Sequence, residues 1–168
     1  MKILGLGGWS GSGKTTLLAK LIPELVRRGI KVSTMKHAHH GFDVDQPGKD
    51  SYVHRAAGAT EVLIASEKRW ALLHEIRDAP EPSAVDLVRH MGPVDLLLIE
   101  GFKREPHDKL EIHRARNGKP LLSADDPTYV AILSDAPVNG ARLPVLDLND
   151  IPAIADFIVA HCGLKAQA

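Results

Sequence analysis

Cysteine is nearly missing from this sequence: of 168 residues only Cys162 carries a thiol. One thiol excludes an internal disulfide and a four-cysteine zinc site within a single chain, and it fits a reducing compartment. An excess of charge of either sign is missing as well, because Lys plus Arg equals Asp plus Glu at 21 each. That balance removes the bulk electrostatic case for nucleic acid or an anionic membrane as the main partner. Long apolar runs are absent too. The run Ile3 to Gly7 near the N-terminus is far below a signal h-region, and no later run approaches the roughly 20 residues that span a bilayer, so a cytoplasmic location is expected. There is no internal repeat, low-complexity tract or linker long enough to separate domains. What remains is a composition of 44% apolar and 25% charged residues, that of a soluble globular protein, on a length that suits one domain spanning residues 1–168.

Apolar runs alternate with helical patterns, the order expected of strands joined by crossover helices in a mostly parallel sheet. Lys2 to Leu6 reads as the first strand. From Lys14 to Arg28 the residues Leu17, Leu18, Leu21, Ile22, Leu25 and Val26 recur at helical spacing, with Gly29 as the stop and a kink expected at Pro23. Val32 to Met35 reads as the second strand, and residues 36–48 as a long loop of the kind that usually carries function. Asp50 to Ala57 reads as a short helix. Glu61 to Ala65 and Trp70 to His74 read as an antiparallel edge hairpin across Glu67-Lys68. A helix is expected from Ser83 to Met91, then the most apolar strand from Val94 to Ile99. Lys109 to Arg114 alternates like an exposed strand, Thr128 to Leu133 and Leu143 to Leu146 read as further strands, and a last helix starts near Asn149-Asp150 and stops at Gly163. The fold class that follows is α/β, with a mostly parallel central sheet flanked by helices and an antiparallel edge hairpin, and the motif at its first strand end makes it P-loop NTPase-like: a glycine-rich loop closing on Gly13-Lys14-Thr15.

Gly8-Trp9-Ser10-Gly11-Ser12-Gly13-Lys14-Thr15 matches G-x-x-x-x-G-K-[ST], between an expected strand and an expected helix. Phosphate oxygens need converging donors without side-chain bulk. Gly8, Gly11 and Gly13 let backbone N–H groups curl around them at the positive end of the helix. The Lys14 ammonium can reach the β- and γ-phosphates of a purine triphosphate, and the Thr15 hydroxyl can ligate a bridging Mg²⁺. A second acid for the metal is expected at a strand end, and the run Leu96 to Ile99 ends in Glu100-Gly101, resembling a Walker B element. Asp95 starts the same strand, roughly 16 Å away, at the wrong end for a ligand. Gly101 reads either as a residue whose N–H can meet the γ-phosphate or as a turn glycine.

Other groups stay ambiguous at this level. Lys36 and His37 follow the second strand on the sheet edge where nucleotides bind, and read either as phosphate or second-substrate contacts or, with His39 and His40, as transition-metal ligands without a recognisable zinc spacing. Asp45, Lys49, Asp50 and Arg55 read as a switch-like segment or as ordinary helix-start charges, with Asp50 as N-cap. No Asn-Lys-x-Asp signature for guanine is present. Asp135 after the strand Val130 to Leu133 can accept from the guanine N1 and N2 donors, or can be a turn residue.

These residues together resemble one family, the molybdopterin-guanine dinucleotide biosynthesis adaptor proteins, MobB. The resemblance is carried by GGWSGSGKTTLL, KHAHHGFDVDQPGKDSYVHRAAGA, ASEKRWALLHE, LLLIEGFK and LSDAP, spread from the first strand to about Asp150. It implies GTP binding with Mg²⁺, slow GTP hydrolysis, a homodimer, and partnership with the guanylyltransferase MobA during attachment of GMP to molybdopterin. It carries phosphate binding onto Gly11, Ser12, Gly13, Lys14, Thr15 and Thr16, the metal onto Glu100, and the guanine onto Asp135. The motifs supply no obvious general base, catalytic Gln or arginine finger, so hydrolysis is expected near intrinsic rates. Two alternatives are a small-molecule P-loop kinase, with Arg104, Arg114 and Arg116 as a lid, and a metal-delivering GTPase using His37, His39 and His40. Those arginines are expected along an exposed strand instead.

Overall fold

The structure is a computed structural model that describes residues 1–38, 41–102 and 105–165. It divides the chain into two compact units, Met1–His37 with Met91–Ala168, and Ala38–His90. The second unit is thus inserted in sequence between two strands of the first.

The first unit is built on β1 (Lys2–Gly7), α1 (Lys14–Arg27) and β2 (Val32–Lys36). The second holds α2 (Asp50–Ala56), β3 (Glu61–Ala65), β4 (Trp70–His74) and α3 (Ala84–Val88). The first unit then resumes with β5 (Leu96–Glu100), β6 (Lys109–His113), β7 (Tyr129–Ser134), β8 (Val145–Asp147) and α4 (Ile151–Cys162). Its sheet runs β2-β5-β1-β6-β7-β8, and every neighbouring pair is parallel. The chain leaves β1 for one side and later returns to the other. The switch of direction therefore falls beside β1, where open α/β sheets place ligands.

One sheet face carries Leu4, Leu6, Leu98, Leu110, Ile112, Ala131 and Leu133, buried against Leu17, Leu21 and Leu25 of α1 and Ile154, Ala155 and Ile158 of α4. Each of these leucines and isoleucines removes apolar area that stabilises by about 1.5–3 kcal/mol when fully buried. Pro23 does not interrupt α1, which is helical throughout. At its end Arg28 bonds Glu24 at 2.8 Å and reaches Asp156 of α4 at 2.6 Å. The hydrogen bonds from Arg27 and Arg28 hold the Glu24 carboxyl down at about 2. α4 begins as expected, with Asp150 Oδ1 accepting from the Ala153 N–H, and ends at the left-handed Gly163.

The other sheet face departs from expectation at β6. Lys109 to His113 is an interior strand, and Lys109 and Glu111 are 2% and 0% exposed. Their polar alternation reads as solvent-facing only while their partners are unknown. The Lys109 ammonium donates to the Glu105 carbonyl at 2.7 Å and Thr128 Oγ1 at 2.6 Å. Glu111 accepts from the N–H groups of Leu122 at 2.7 Å and Ser123 at 2.9 Å. Room for this polar layer comes from glycine: a Cβ on Gly5 would lie 2.5 Å from His107 Nε2, and one on Gly7 would lie 2.0 Å from Tyr129 Oη.

In the second unit β3 and β4 pair antiparallel, as expected, and form a two-stranded sheet of their own. The helix expected from Ser83 to Met91 is shorter. Ser83 and Asp86 close a capping box at its start, but regular helix ends at Val88. Among the described residues no helix is long and apolar enough to cross a membrane.

Candidate functional site

β1 delivers the chain at the sheet's carboxyl edge directly into residues 8–13, and α1 starts at Lys14. The turn needs its glycines. Gly8, Gly11 and Gly13 have φ of 155, 77 and 93°, and a Cβ on Gly8 would approach Ser12 Oγ to 2.6 Å and the Ile112 carbonyl to 2.7 Å. Such positive φ is costly for residues that carry a Cβ. Ser12 is 1% exposed. Its Oγ has no hydrogen-bond partner among the described residues. The Lys14 ammonium lies back over the loop, donating to the carbonyls of Gly8 at 2.9 Å and Trp9 at 3.2 Å. Trp9 is tethered by its Nε1–H to the Pro120 carbonyl at 2.8 Å, with the Lys119 ammonium 5.8 Å from its ring centre.

A cavity of about 440 Å³ opens at this loop, lined by Ser10, Gly11, Gly13, Lys14, Thr15, Thr16, Glu100, Arg114 and Arg116. That volume is in the range of small-molecule sites, about 300–1,000 Å³. Glu100 reaches it because β5 pairs with β1 in a register that sets Glu100 beside Leu6, on the α1 side of the sheet. Gly101 follows at φ 97°, where a Cβ would meet His37 Cβ at 2.6 Å. Lys36 is in register with Glu100, and the His37 N–H donates to the Glu100 carbonyl at 2.8 Å. The structure therefore brings Lys36 and His37 to the same edge as the strand-end acid.

Arg114 and Arg116 are the residues that sequence reasoning placed elsewhere. They lie just past β6, on the cavity wall rather than along an exposed strand. The pairing of β6 with β1, with Gly7 beside Glu111, is what sends the chain past the phosphate loop, and no local pattern announces it. Arg114 Nε donates to the Ser12 carbonyl at 3.0 Å and Nη1 to Asp135 Oδ2 at 2.9 Å. Asp135, after β7, also accepts from the Ala115 N–H at 3.2 Å. Partial desolvation, the largest influence on the Asp135 carboxyl, pushes it up. The bonds from Ala115 and Arg114 and the Arg114 charge outweigh this and leave it below its ordinary value.

The remaining sequence candidates belong to the second unit. There Arg55 Nε bonds Asp45 at 3.2 Å, Nη1 bonds Glu75 at 2.8 Å, and Nη2 bonds both Asp43 oxygens at 3.0 Å. Asp45 also accepts from Ser51 Oγ at 2.8 Å. Lys49, not Asp50, holds the N-cap position of α2, and Asp50 is in its first turn. His39, His40 and Arg104 lie outside the described residues. Among the described residues no group of three or more His, Cys, Asp or Glu side chains is arranged to hold a metal ion.

A parallel sheet whose central strand runs through a glycine loop into a helix, with Lys14, Thr15 and a strand-end acid around one cavity, defines a P-loop NTPase-like protein. The chain belongs to the MobB family: a family profile described as "Molybdopterin guanine dinucleotide synthesis protein B" matches residues 3–135. It is 46% identical over 160 residues to a molybdopterin-guanine dinucleotide biosynthesis adapter protein of Haemophilus influenzae, covering 93% of this chain and 86% of that one. The Escherichia coli protein of the same description is 45% identical over 160 residues, covering 94% and 91%. Among solved structures, a molybdopterin-guanine biosynthesis protein B superposes with a TM-score of 0.75 at 27% identity over 96% of this chain and 99% of the other. Bacillus subtilis MobB superposes with a TM-score of 0.75 at 25% identity over 98% and 99%.

Proposed function

We propose that this protein is a GTP-binding adapter of molybdenum cofactor biosynthesis, which assists the guanylylation of molybdopterin to molybdopterin guanine dinucleotide. The observation that carries the reading is the cavity where the glycine loop, Lys14, Thr15, Thr16 and Glu100 converge, in a chain whose relatives are described as adapters of that pathway.

The residues present suit a polyphosphate and a magnesium ion. The loop is a cradle that side chains would fill, and it holds the orphaned Ser12 Oγ. Thr15 and Glu100 supply the hard oxygen donors that Mg²⁺ takes. Bound there, the ion would neutralise phosphate charge. Lys14 would exchange its loop carbonyls for phosphate oxygens, and Thr16 and the backbone N–H groups of residues 11–16 would orient them. Asp135 directly follows β7, two strands from β1. Its carboxylate accepts from Arg114 Nη1 and the Ala115 N–H, and with about four lone pairs it would have acceptor capacity left for the guanine edge. Of the lining residues only Glu100 bears a carboxylate, and the metal role engages it, so turnover would be slow. Lys36 and His37, beside Glu100, would face a second substrate such as molybdopterin.

The protein would act in the cytoplasm with the guanylyltransferase MobA. Homodimer formation is supported by the hairpin β3–β4, which exposes Leu63, Ile64, Trp70 and Leu72, since an isolated two-stranded sheet is marginal in water.

Calorimetric titration with GTP and ATP, each with and without Mg²⁺, tests the reading. We expect GTP with Mg²⁺ to bind most tightly, and Lys14→Ala to weaken it about 30- to 1,000-fold. That range follows from two lost charge-assisted bonds partly offset by the loop contacts of the free state. Equal affinity for both nucleotides would remove the guanine role of Asp135. No retention of either nucleotide would overturn the function.

A further inference from the structure

Arg114 is held more tightly than a wall residue needs to be. Its guanidinium bridges the Ser12 carbonyl and Asp135, and lies against Gly13, where a Cβ would come within 3.2 Å of Nε and 3.3 Å of Nη2. Asp135 is itself fixed by the Ala115 N–H, one residue beyond Arg114. The result is a planar cation locked in one orientation on the phosphate loop, with Nη2 making no hydrogen bond among the described residues. Arginine forks match phosphate oxygens in pairs, and a fork fixed beforehand loses little freedom on binding. The carboxylate is the informative partner. A negative charge beside a polyphosphate site repels the ligand, and its bond to Arg114 offsets that cost by holding the guanidinium in place, a role beyond its contact with the base.

We propose that Arg114 contacts the nucleotide phosphates as an arginine supplied by the chain itself, and that Asp135 is its positioning residue. This rests on the GTP-binding reading above. Asp135 then links the base end of the site to its phosphate end through one side chain.

The test is a double-mutant cycle on GTP dissociation constants with the full chain, using Arg114→Ala, Asp135→Asn and the combination. We expect Arg114→Ala to weaken GTP about 10- to 100-fold. Asp135→Asn, which keeps shape and removes the repelling charge, should nonetheless weaken it, and should cost less in the Arg114→Ala background than in the native chain, the remainder being its guanine contact. Arg114→Lys, which keeps the charge without the fork, should fall between wild type and Arg114→Ala, and it replaces Arg114→Ala in the cycle if loss of the Ser12 bond unfolds that variant. Tighter binding by Asp135→Asn, losses that simply add, or an unchanged arginine variant would each overturn the proposal while leaving wild-type GTP binding intact. A wild type that retains no GTP refutes the underlying reading as well.

Discussion

Replacing Glu111 by Gln isolates the polar layer beneath β1 and β6. Glu111 is 0% exposed, and each carboxylate oxygen accepts one backbone N–H, from Leu122 at 2.7 Å and Ser123 at 2.9 Å. Gln keeps the shape and one oxygen. Its amide nitrogen then faces an N–H that has lost its acceptor, which costs about 1–3 kcal/mol for an unsatisfied partly buried donor. A second loss comes from turning the remaining charge-assisted bond into a neutral one. Against both stands the smaller penalty for burying an amide than an ion. The balance is a net destabilisation of about 1–3 kcal/mol, or roughly 3–10 °C in Tm for a chain of this size. Urea denaturation followed by circular dichroism measures it. Glu111→Met, which orphans both N–H groups, should lose more than Glu111→Gln. If either variant is as stable as the native protein, the carboxylate is a desolvation burden and not an anchor, and β6 tolerates burial for some reason other than its backbone partners.

Other outcomes follow from the same geometry. Gly7→Ala should destabilise by about 1–3 kcal/mol through overpacking and weaken nucleotide binding, because its Cβ would sit 2.0 Å from Tyr129 Oη. Tyr129→Leu should recover part of both losses, and failure of that rescue would mean the strain lies elsewhere. In the second unit, the Asp45 N–H and then Arg55 lower the Asp43 carboxyl. Asp45 is raised by desolvation but lowered on balance by Ser51, Gln46 and Arg55. Their stabilisation is present above the ordinary value of 3.8 and is lost as pH falls through the lower folded values. Arg55→Met should therefore flatten the acid limb of the stability profile, and an unchanged limb would contradict the cluster. Burial, followed by the charges of Glu111 and Asp126, pushes the Tyr129 phenol above its ordinary 10.0. It favours the fold below pH 10 and ceases to do so as pH rises toward the folded value. Difference absorbance of wild type against Tyr129→Phe should show no ionisation of this ring near pH 10 in the folded chain.

The strand, loop and helix from Lys2 to Arg27 were legible because three signals coincide there: an apolar run, a spacing of glycines that only a tight turn uses, and leucines at helical period. α4 was legible for the same kind of reason, with Asp150 and Gly163 marking its ends. β6 was not. Lys109 and Glu111 are polar, and what makes them interior is their partners at Glu105, Thr128, Leu122 and Ser123, which no window of sequence contains. Arg114 and Arg116 were lost with it, since their place depends on β6 pairing with β1 rather than on anything nearby in the chain. The long loop drew attention for its charges, yet Asp45 and Arg55 hold each other within the second unit, a contact their spacing permits but does not require.

Trp9 has a practical consequence. Its indole stands within the phosphate loop, tied to the Pro120 carbonyl and under the Lys119 ammonium, so any rearrangement there alters the polarity around a native fluorophore. The chain's other indole, Trp70, is on the hairpin of the inserted unit. A Trp70→Phe protein would thus carry one built-in optical gauge, positioned where occupancy can be followed in real time without a label.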